Sequence, residues 1–528
     1  MPYPFPSAQA LLADVELRQE TLAIALDRRH RAQLGQFFTP ALTARFIASM
    51  LGTPERKSIR VLDPGAGIGI LCAAAVVQLV TNQSHLKKIE LVAYELDARL
   101  DRELRKTLIA CERLGRAADV DLSWELRASN YVADVGSLFD ESDGEQFDVV
   151  IMNPPYRKIR TDSNERAALE AIGLRVSNLY TAFLALAAAQ LRPGGVLSAI
   201  TPRSFANGLY HEPFRRFFFE RIGVERLHVF ESRGHVFANA DVLQENIIIA
   251  GTRGTIPSVT TLSVSYGANE EPRLREVPYA EIIHPGDQHQ FLRIPTGDDD
   301  ASIAETMVAL PVSVGDLGII VSTGRVVDFR AKEYLRPDSA SDTVPLIYPG
   351  HLRNRAIAWP AANGGRKPNA LQRVPETLKL LLPNETYVLV KRFTAKEERR
   401  RVVAAVISAA DVPGDAVAIE NHLNIYHDDG RGLQPDLAHG LAAYLNSSFV
   451  DRYVRQFSGH TQINATDLRH LRYPSRDQLC TLGTLVRNER PEGQEALDHL
   501  VEPILAGASE HFDETGPGDV AVVAGLVA

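Results

Sequence analysis

The sequence predicts an α/β protein: a doubly wound, mostly parallel sheet in the first half, followed by a mixed α+β region. Three observations carry this. Between about residues 56 and 250, short apolar runs alternate with helical stretches, the rhythm of parallel strands joined by crossover helices. The first of those runs ends in a glycine-rich turn, Asp63-Pro64-Gly65-Ala66-Gly67-Ile68-Gly69. The rhythm then stops, and residues 311–476 carry scattered basic and aromatic residues instead.

The chain has 528 residues, 45% apolar and 23% charged, with a net charge of −9. That length supports two or three domains, with the composition of an ordinary soluble globular protein. No apolar run is long enough to span a bilayer, and Met1-Pro2-Tyr3-Pro4-Phe5-Pro6 lacks the basic and apolar regions of a signal peptide. Cys72, Cys111 and Cys480 are far apart with no metal-ligand spacing, which points to a reducing cytoplasm and to neither structural zinc nor disulfides. With a negative net charge, any contact with nucleic acid must come from local basic patches.

Taken in order, residues 7–34 read as a helix with a basic end, followed by the turn Leu34-Gly35-Gln36-Phe37-Phe38-Thr39-Pro40 and a second helix to about Leu51. Thr39 is the expected N-cap, with Pro40 at the first helical position. Ile59–Asp63 is a strand, the glycine turn opens a helix, and Ile89–Asp97 is a strand ending in acids. A charged helix from Ala98 to about Leu114 and a short strand over Leu122–Leu126 follow. Phe147–Met152 is a buried strand stopped by Pro154 and Pro155, which cannot continue a ladder. A helix over Leu179–Leu191, a tight turn at Arg192-Pro193-Gly194-Gly195 and a strand over Gly195–Ile200 complete the pattern. The expected segments are an N-terminal helical segment (1–55), a sheet domain (56–250), a connecting β-rich segment (251–310), a recognition region (311–476) and a C-terminal helical segment with a tail (477–528).

Two stretches carry chemistry. In the glycine turn a ligand can approach the backbone, and Glu95 at the end of the next strand suits a ribose. Asp63 inside the turn would repel a pyrophosphate, so it suits a cofactor with a cationic end. The second stretch, Asn153-Pro154-Pro155-Tyr156, sets an amide oxygen, a backbone carbonyl and an aromatic ring at a strand's C-terminal edge. This set grips a planar group bearing an NH2. Adenine's exocyclic amine is a poor nucleophile because its lone pair is delocalised into the ring. With Asn153 Oδ1 and the Pro154 carbonyl accepting its two hydrogens, the nitrogen turns toward sp3, while Tyr156 stacks on the base.

On these residues the chain resembles the N6-adenine-specific DNA methyltransferases of type II restriction–modification systems. The order of motifs, Phe37–Pro40 before the glycine turn, then Asn153–Tyr156, then the recognition region, resembles their gamma class. The resemblance implies a Rossmann-like methyltransferase sheet, S-adenosyl-L-methionine as cofactor and double-stranded DNA as substrate, with a flipped-out adenine as the target. It also implies a separate restriction endonuclease as functional partner, a monomer and a cytoplasmic location. Thr39, Asp63, Gly65 and Gly67 match the residues that hold the methionine part of the cofactor, and Glu95 matches the ribose-binding acid. Asn130 stands where the family usually has Asp. Phe205 resembles the second aromatic wall of the base pocket, with Tyr210 as the alternative. The segments Ser322–Val327, Lys391-Arg392-Phe393, Glu420–Asn424 and Ser458–Asn464 resemble parts of the target-recognition region. From them Arg325, Lys391, Arg392, His460 and Gln462 are expected at the DNA. The basic cluster over Thr386–Val403, with Lys396, Arg399, Arg400 and Arg401, and a second one at Arg353, Arg355, Arg366 and Lys367 read as phosphate contacts.

Other readings remain. A protein glutamine methyltransferase offers the same grip to an amide, but such enzymes are compact and need no long basic region. Cytosine N4 methylation more often resembles Ser-Pro-Pro-Trp. A non-catalytic DNA-binding specificity subunit would not need Glu95 and Asn153–Tyr156 intact.

Overall fold

The computed structural model describes residues 8–25, 38–52, 54–82, 85–137, 145–230, 245–267, 270–297, 299–361, 367–394, 398–457 and 462–514. Two compact units divide the chain, Met1–Thr296 and Gly297–Ala528.

The first unit is built on one sheet of nine strands. In chain order these are β1 Ser58–Asp63, β2 Lys88–Tyr94, β3 Asp121–Arg127, β4 Phe147–Met152, β5 Leu191–Pro202, β6 Ile222–Phe230, β7 Asn246–Arg253, β8 Val259–Ser265 and β9 Arg273–Pro278. Their spatial order is β3-β2-β1-β4-β5-β7-β6-β8-β9. From β3 to β5 every pairing is parallel, as is β6 with β8, whereas β7 runs antiparallel to both neighbours and β9 to β8.

The alternation of side chains along the central strands explains the double winding. Val149 and Ile151 of β4 face one core, which includes Leu91 and Ala93 of β2; Val150 and Met152 face another, with Val92 and Tyr94. The first core is covered by helices Ala8–Ala25, Ala41–Ser49, Ile70–Asn82 and Asp101–Ala117, and the second by Tyr131–Ser137, Asn164–Ala171, Leu179–Gln190 and Glu212–Phe219. All six residues of β4 are buried. Burial of each apolar one contributes about 1.5–3 kcal/mol relative to exposure. Asp148 is tolerated inside this strand because its carboxylate accepts the Arg60 backbone N–H at 2.8 Å and Arg192 Nη1 at 3.0 Å, which ties β4 to β1 and β5.

Several expectations shift. The N-terminal helix is Ala8–Ala25. The second helix begins at Ala41, with Pro40 extended before it, so Thr39 is not its cap. The cap is supplied from elsewhere: the Ala41 N–H donates to Glu16 Oε1 at 2.9 Å. The boundary near residue 250 moves to 296/297. The Gly- and Pro-punctuated runs after residue 251 looked like a connector, but β8 and β9 extend the sheet and bury Leu262, Val264 and Val277 in its core. The tight turn expected at 192–195 is instead part of β5: Phe147 pairs with Leu191 and Val149 with Val196, the register shifts between them, and Gly194 sits there at φ +77°.

The second unit carries a four-stranded antiparallel sheet (Ile320–Thr323, Leu423–His427, Tyr387–Lys391, Ala404–Ile407) and a five-stranded one centred on Thr343–Ile347. Its helices include Pro435–Leu445 and Arg476–Glu489, which cross in direct backbone contact. A Cβ on Gly440 would lie 1.8 Å from the Leu479 carbonyl oxygen, and one on Gly483 would lie 1.7 Å from that of Asp436. Among the described residues, no helix is long and apolar enough to cross a membrane.

That crossing gives a direct test. Gly440→Ala is expected to destabilise the second unit by about 1–3 kcal/mol through overpacking. Trp359 fluorescence in a Trp124→Phe background, followed through denaturant unfolding, measures it; an unchanged midpoint would show that the helices can separate at no cost.

Candidate active site

The parallel pairing of β1 with β2 and β4 brings the C-terminal ends of these strands to one edge of the sheet. Open α/β sheets bind ligands at that edge. A cleft opens there, with Gly65, Gly67, Glu95, Asn130 and Asn153 in its lining. Five of the residues expected at the cofactor and target base are thereby together.

The turn after β1 needs its glycines. Gly67 has φ +59°. Gly69 has φ +88°, and a Cβ there would lie 2.9 Å from Leu104 and 3.0 Å from Thr107. The turn is joined to β2 by Glu95, whose Oε2 accepts the Gly67 N–H at 2.8 Å and whose Oε1 accepts the Asp97 N–H at 2.7 Å. Burial pushes the Glu95 carboxyl up to about 7 against these hydrogen bonds, with the Asp97 charge adding to the rise. Asp63 is fully buried behind the turn instead of lining the cleft. It accepts the Gly65 N–H at 3.4 Å and the Cys72 thiol at 3.3 Å. Burial lifts its carboxyl to about 7 as well, hydrogen bonds from Cys72 and Gly65 oppose this, and the Glu95 charge adds to it. Two carboxyls thus sit near neutrality beneath one turn, an electrostatic setting that welcomes a cation.

Asn130 lines the cleft with both ends of its amide engaged. Its Nδ2 donates to Glu165 Oε1 at 3.0 Å, and its Oδ1 accepts the Ala133 N–H at 3.3 Å at the start of the helix Tyr131–Ser137. Glu165 also accepts Arg157 Nη2 at 3.0 Å. Glu165 and Arg157 both line the cleft and were not anticipated. Nor were the flat apolar walls supplied by Leu96, Tyr131, Pro155 and Phe183, a setting suited to a planar base. The position of Leu96, next to Glu95, was the available signal. Phe183 lies in an almost wholly apolar helix and carried none.

At the other motif, Asn153 Nδ2 donates to Thr39 Oγ1 at 3.0 Å. Thr39 itself is buried behind the cleft wall, while Phe38 lines it. Pro154 is buried and Tyr156 half-buried. The Tyr156 hydroxyl donates to the Ile200 carbonyl at 3.4 Å, its ring stands edge-on to Tyr180 at 6.4 Å, and burial pushes its phenol up. Phe205 is a correction. It is fully buried, packed edge-on against Phe214 at 5.3 Å inside the core, and does not line the cleft. Tyr210 is 60% exposed.

In the second unit the predicted segments do converge. The Gly324 N–H donates to the Leu423 carbonyl, the Arg392 N–H to His422 and the Ile463 N–H to Arg392, and Phe393 bridges Gln462. Arg325 is exposed, with Nη1 on the Leu381 carbonyl at 3.1 Å. Lys391 ends the strand Tyr387–Lys391, half-buried. Arg392 holds Asn464 Oδ1 and the Asn421 carbonyl, both at 3.2 Å, so it knits these loops together. Of the basic cluster, Arg401 is buried and Arg400 bonds Ser447 and Ser448, while Arg399 is exposed. Arg401 is therefore part of the core and not a phosphate contact. In the second cluster, Arg355 Nη2 bonds the Pro491 carbonyl, Lys367 pairs with Asp328, and Arg353 is exposed. His460, Lys396 and Arg366 lie outside the described residues.

A family model described as Eco57I restriction-modification methylase matches residues 75–237. The type II methyltransferase M.PstI of Providencia stuartii is 41% identical over 470 residues, 88% of this chain and 92% of that protein. The type II methyltransferase M.BsuBI of Bacillus subtilis is 37% identical over 485 residues, 90% and 95% of the two chains. The type IIL restriction-modification enzyme MmeI, solved in complex with DNA, shares the fold with a TM-score of 0.55 at 10% identity, over 87% of this chain and 71% of that one. Matched over nearly the full length of such relatives, with the cleft at the C-terminal edge of its parallel strands, the chain belongs to the type II DNA methyltransferases of restriction–modification systems, which take their methyl group from S-adenosylmethionine.

Proposed function

We propose that this methyltransferase acts on N6 of an adenine flipped out of double-stranded DNA. The observation that carries the reading is the Asn153 side chain, anchored through Nδ2 on Thr39 in the wall of the same cleft as Glu95 and the glycine turn. S-adenosylmethionine supplies the electrophilic methyl when bound. The residues fit it: Glu95 as acceptor for ribose hydroxyls, Gly65 and Gly67 as open backbone, Leu96, Tyr131, Pro155 and Phe183 as walls for the cofactor's base, and Asp63 as a buried carboxyl behind the turn. Asn130, held by Glu165, lines the cleft as a partner for the amine of the cofactor's adenine.

Asn153 Oδ1 and the Pro154 carbonyl accept the two hydrogens of the target amine, which localises the lone pair for attack. Tyr156 stacks on the base, with Tyr210 a better candidate than Phe205 for the opposite wall. The base must leave the duplex to reach the cleft. In the second unit the convergent loops bearing Arg325, Lys391 and Gln462, with His460 beside them in sequence, read the target, and Arg392 holds those loops in register. The protein acts as a cytoplasmic monomer and protects DNA from a separate endonuclease of the same specificity, as its similarity to type II methyltransferases suggests.

Incubation with unmethylated genomic DNA and S-adenosylmethionine, followed by single-molecule sequencing, tests the reading. N6-methyladenine at one short sequence is expected; methylcytosine, or unmodified DNA from a cofactor-binding protein, would overturn it. Asn153→Ala is expected to lower the transfer rate by about 100–1,000-fold while DNA still binds. Transfer at the wild-type rate would remove Asn153 from the mechanism.

Cofactor binding should also depend on pH. Glu95 titrates at about 7 without ligand, and only its ionised form accepts both ribose hydroxyls well. Affinity is therefore expected to be full above this value and to fall by up to about tenfold per pH unit below it, with proton release on binding near neutrality. Calorimetry in buffers of different ionisation enthalpy measures both. In Glu95→Gln the slope should flatten; an undiminished slope would assign it to Asp63.

A further inference from the structure

The two ends of an asparagine amide have nearly the same shape but opposite hydrogen-bonding character. Shape alone therefore does not tell the pocket which end of Asn153 should meet the target amine. An oxygen there accepts the amine's hydrogens, whereas an NH2 group would face them with hydrogens of its own.

The structure holds the amide by its Nδ2 end. Asn153 Nδ2 donates to Thr39 Oγ1 at 3.0 Å, and Thr39 is only 3% exposed, so water scarcely competes for the bond. The Thr39 carbonyl in turn accepts Gln19 Nε2 at 3.0 Å, and Gln19 is 5% exposed. Two residues beyond Thr39, the Ala41 N–H donates to Glu16 Oε1 at 2.9 Å. Glu16 and Gln19 stand three residues apart on one face of the helix Ala8–Ala25, so that helix holds Thr39 and Ala41 together.

The helix is itself pinned to the cofactor side of the cleft. Arg18 Nη1 donates to the Glu103 carbonyl at 2.9 Å and Nη2 to Thr107 Oγ1 at 3.0 Å, and the Thr107 hydroxyl donates to the Ile68 carbonyl of the glycine turn at 2.7 Å. No residue of this helix lines the cleft. Its buried polar side chains nonetheless converge on the two turns that form it.

We propose that Thr39 and Gln19 are positioning residues for methyl transfer. Gln19 sets the Thr39 turn, and Thr39 orients the Asn153 amide so that Oδ1 meets the target amine. This rests on the adenine-N6 reading above. It gives Thr39 a role in the transfer step in addition to any contact with the cofactor.

The test uses the full-length protein and a duplex carrying the site mapped for the wild type. Single-turnover transfer, S-adenosylmethionine affinity by calorimetry without DNA, and 2-aminopurine fluorescence at the target position are measured for wild type, Thr39→Val, Thr39→Ser and Gln19→Leu. Valine keeps the shape of threonine and removes the hydroxyl; serine keeps the hydroxyl. Thr39→Val is expected to slow transfer by about 10–100-fold while cofactor Kd stays within about threefold. Base extrusion should persist in it, Thr39→Ser should recover most of the rate, and Gln19→Leu should lose rate in the same direction by a smaller factor. Wild-type transfer by Thr39→Val would overturn the proposal. So would a loss fully accounted for by weaker cofactor binding, which would make Thr39 a cofactor contact alone. If the wild type itself forms no N6-methyladenine, the functional reading fails first and this proposal with it. Gln19→Leu keeps the proposal testable should Thr39→Val not fold.

Discussion

The parallel register of β1, β2 and β4 is the constraint on which the rest of the first unit depends. Parallel strands end on the same edge, so the glycine turn, Glu95 and Asn153 meet although they are distant in sequence. The same pairing requires both faces to be covered, and the alternate burial of Val149 with Ile151 and Val150 with Met152 shows both covers in place. Chemistry and core are thus consequences of one hydrogen-bonded ladder, and Asp148 fastens that ladder at its opposite end by joining three strands through one carboxylate.

Much of this was legible in the residues. Strand β4 is legible with its observed limits because a run apolar but for Asp148 meets two prolines, and the glycine turn because positive φ at Gly67 and Gly69, with close packing at Gly69, favours glycine. Two positions were misread for one reason: local patterns do not reveal long-range partners. Thr39 looked like a helix cap, yet the cap comes from Glu16 and the Thr39 hydroxyl serves Asn153, far along the chain. Phe205 looked like a pocket wall because it follows a strand end, but Phe214, on a helix not foreseen, draws it into the core.

The second unit was less legible. Its strands are short, and its basic residues divide between surface and interior in a way that composition does not show. Arg399 and Arg401 are near neighbours, yet one is exposed and the other fully buried. Arg392 is committed to holding loops together, and only the hydrogen-bond geometry distinguishes that duty from direct contact with a base.

The hydrogen bond between Asn153 and Thr39 joins two groups that never ionise near neutrality. The two carboxyls beneath the glycine turn do. Acidity therefore acts on the glycine-turn end of the cleft and not on the Asn153–Thr39 bond. Under the proposed roles, a drop in pH weakens donor binding at Glu95 and leaves the Asn153–Thr39 bond in place, and more S-adenosylmethionine would offset the loss.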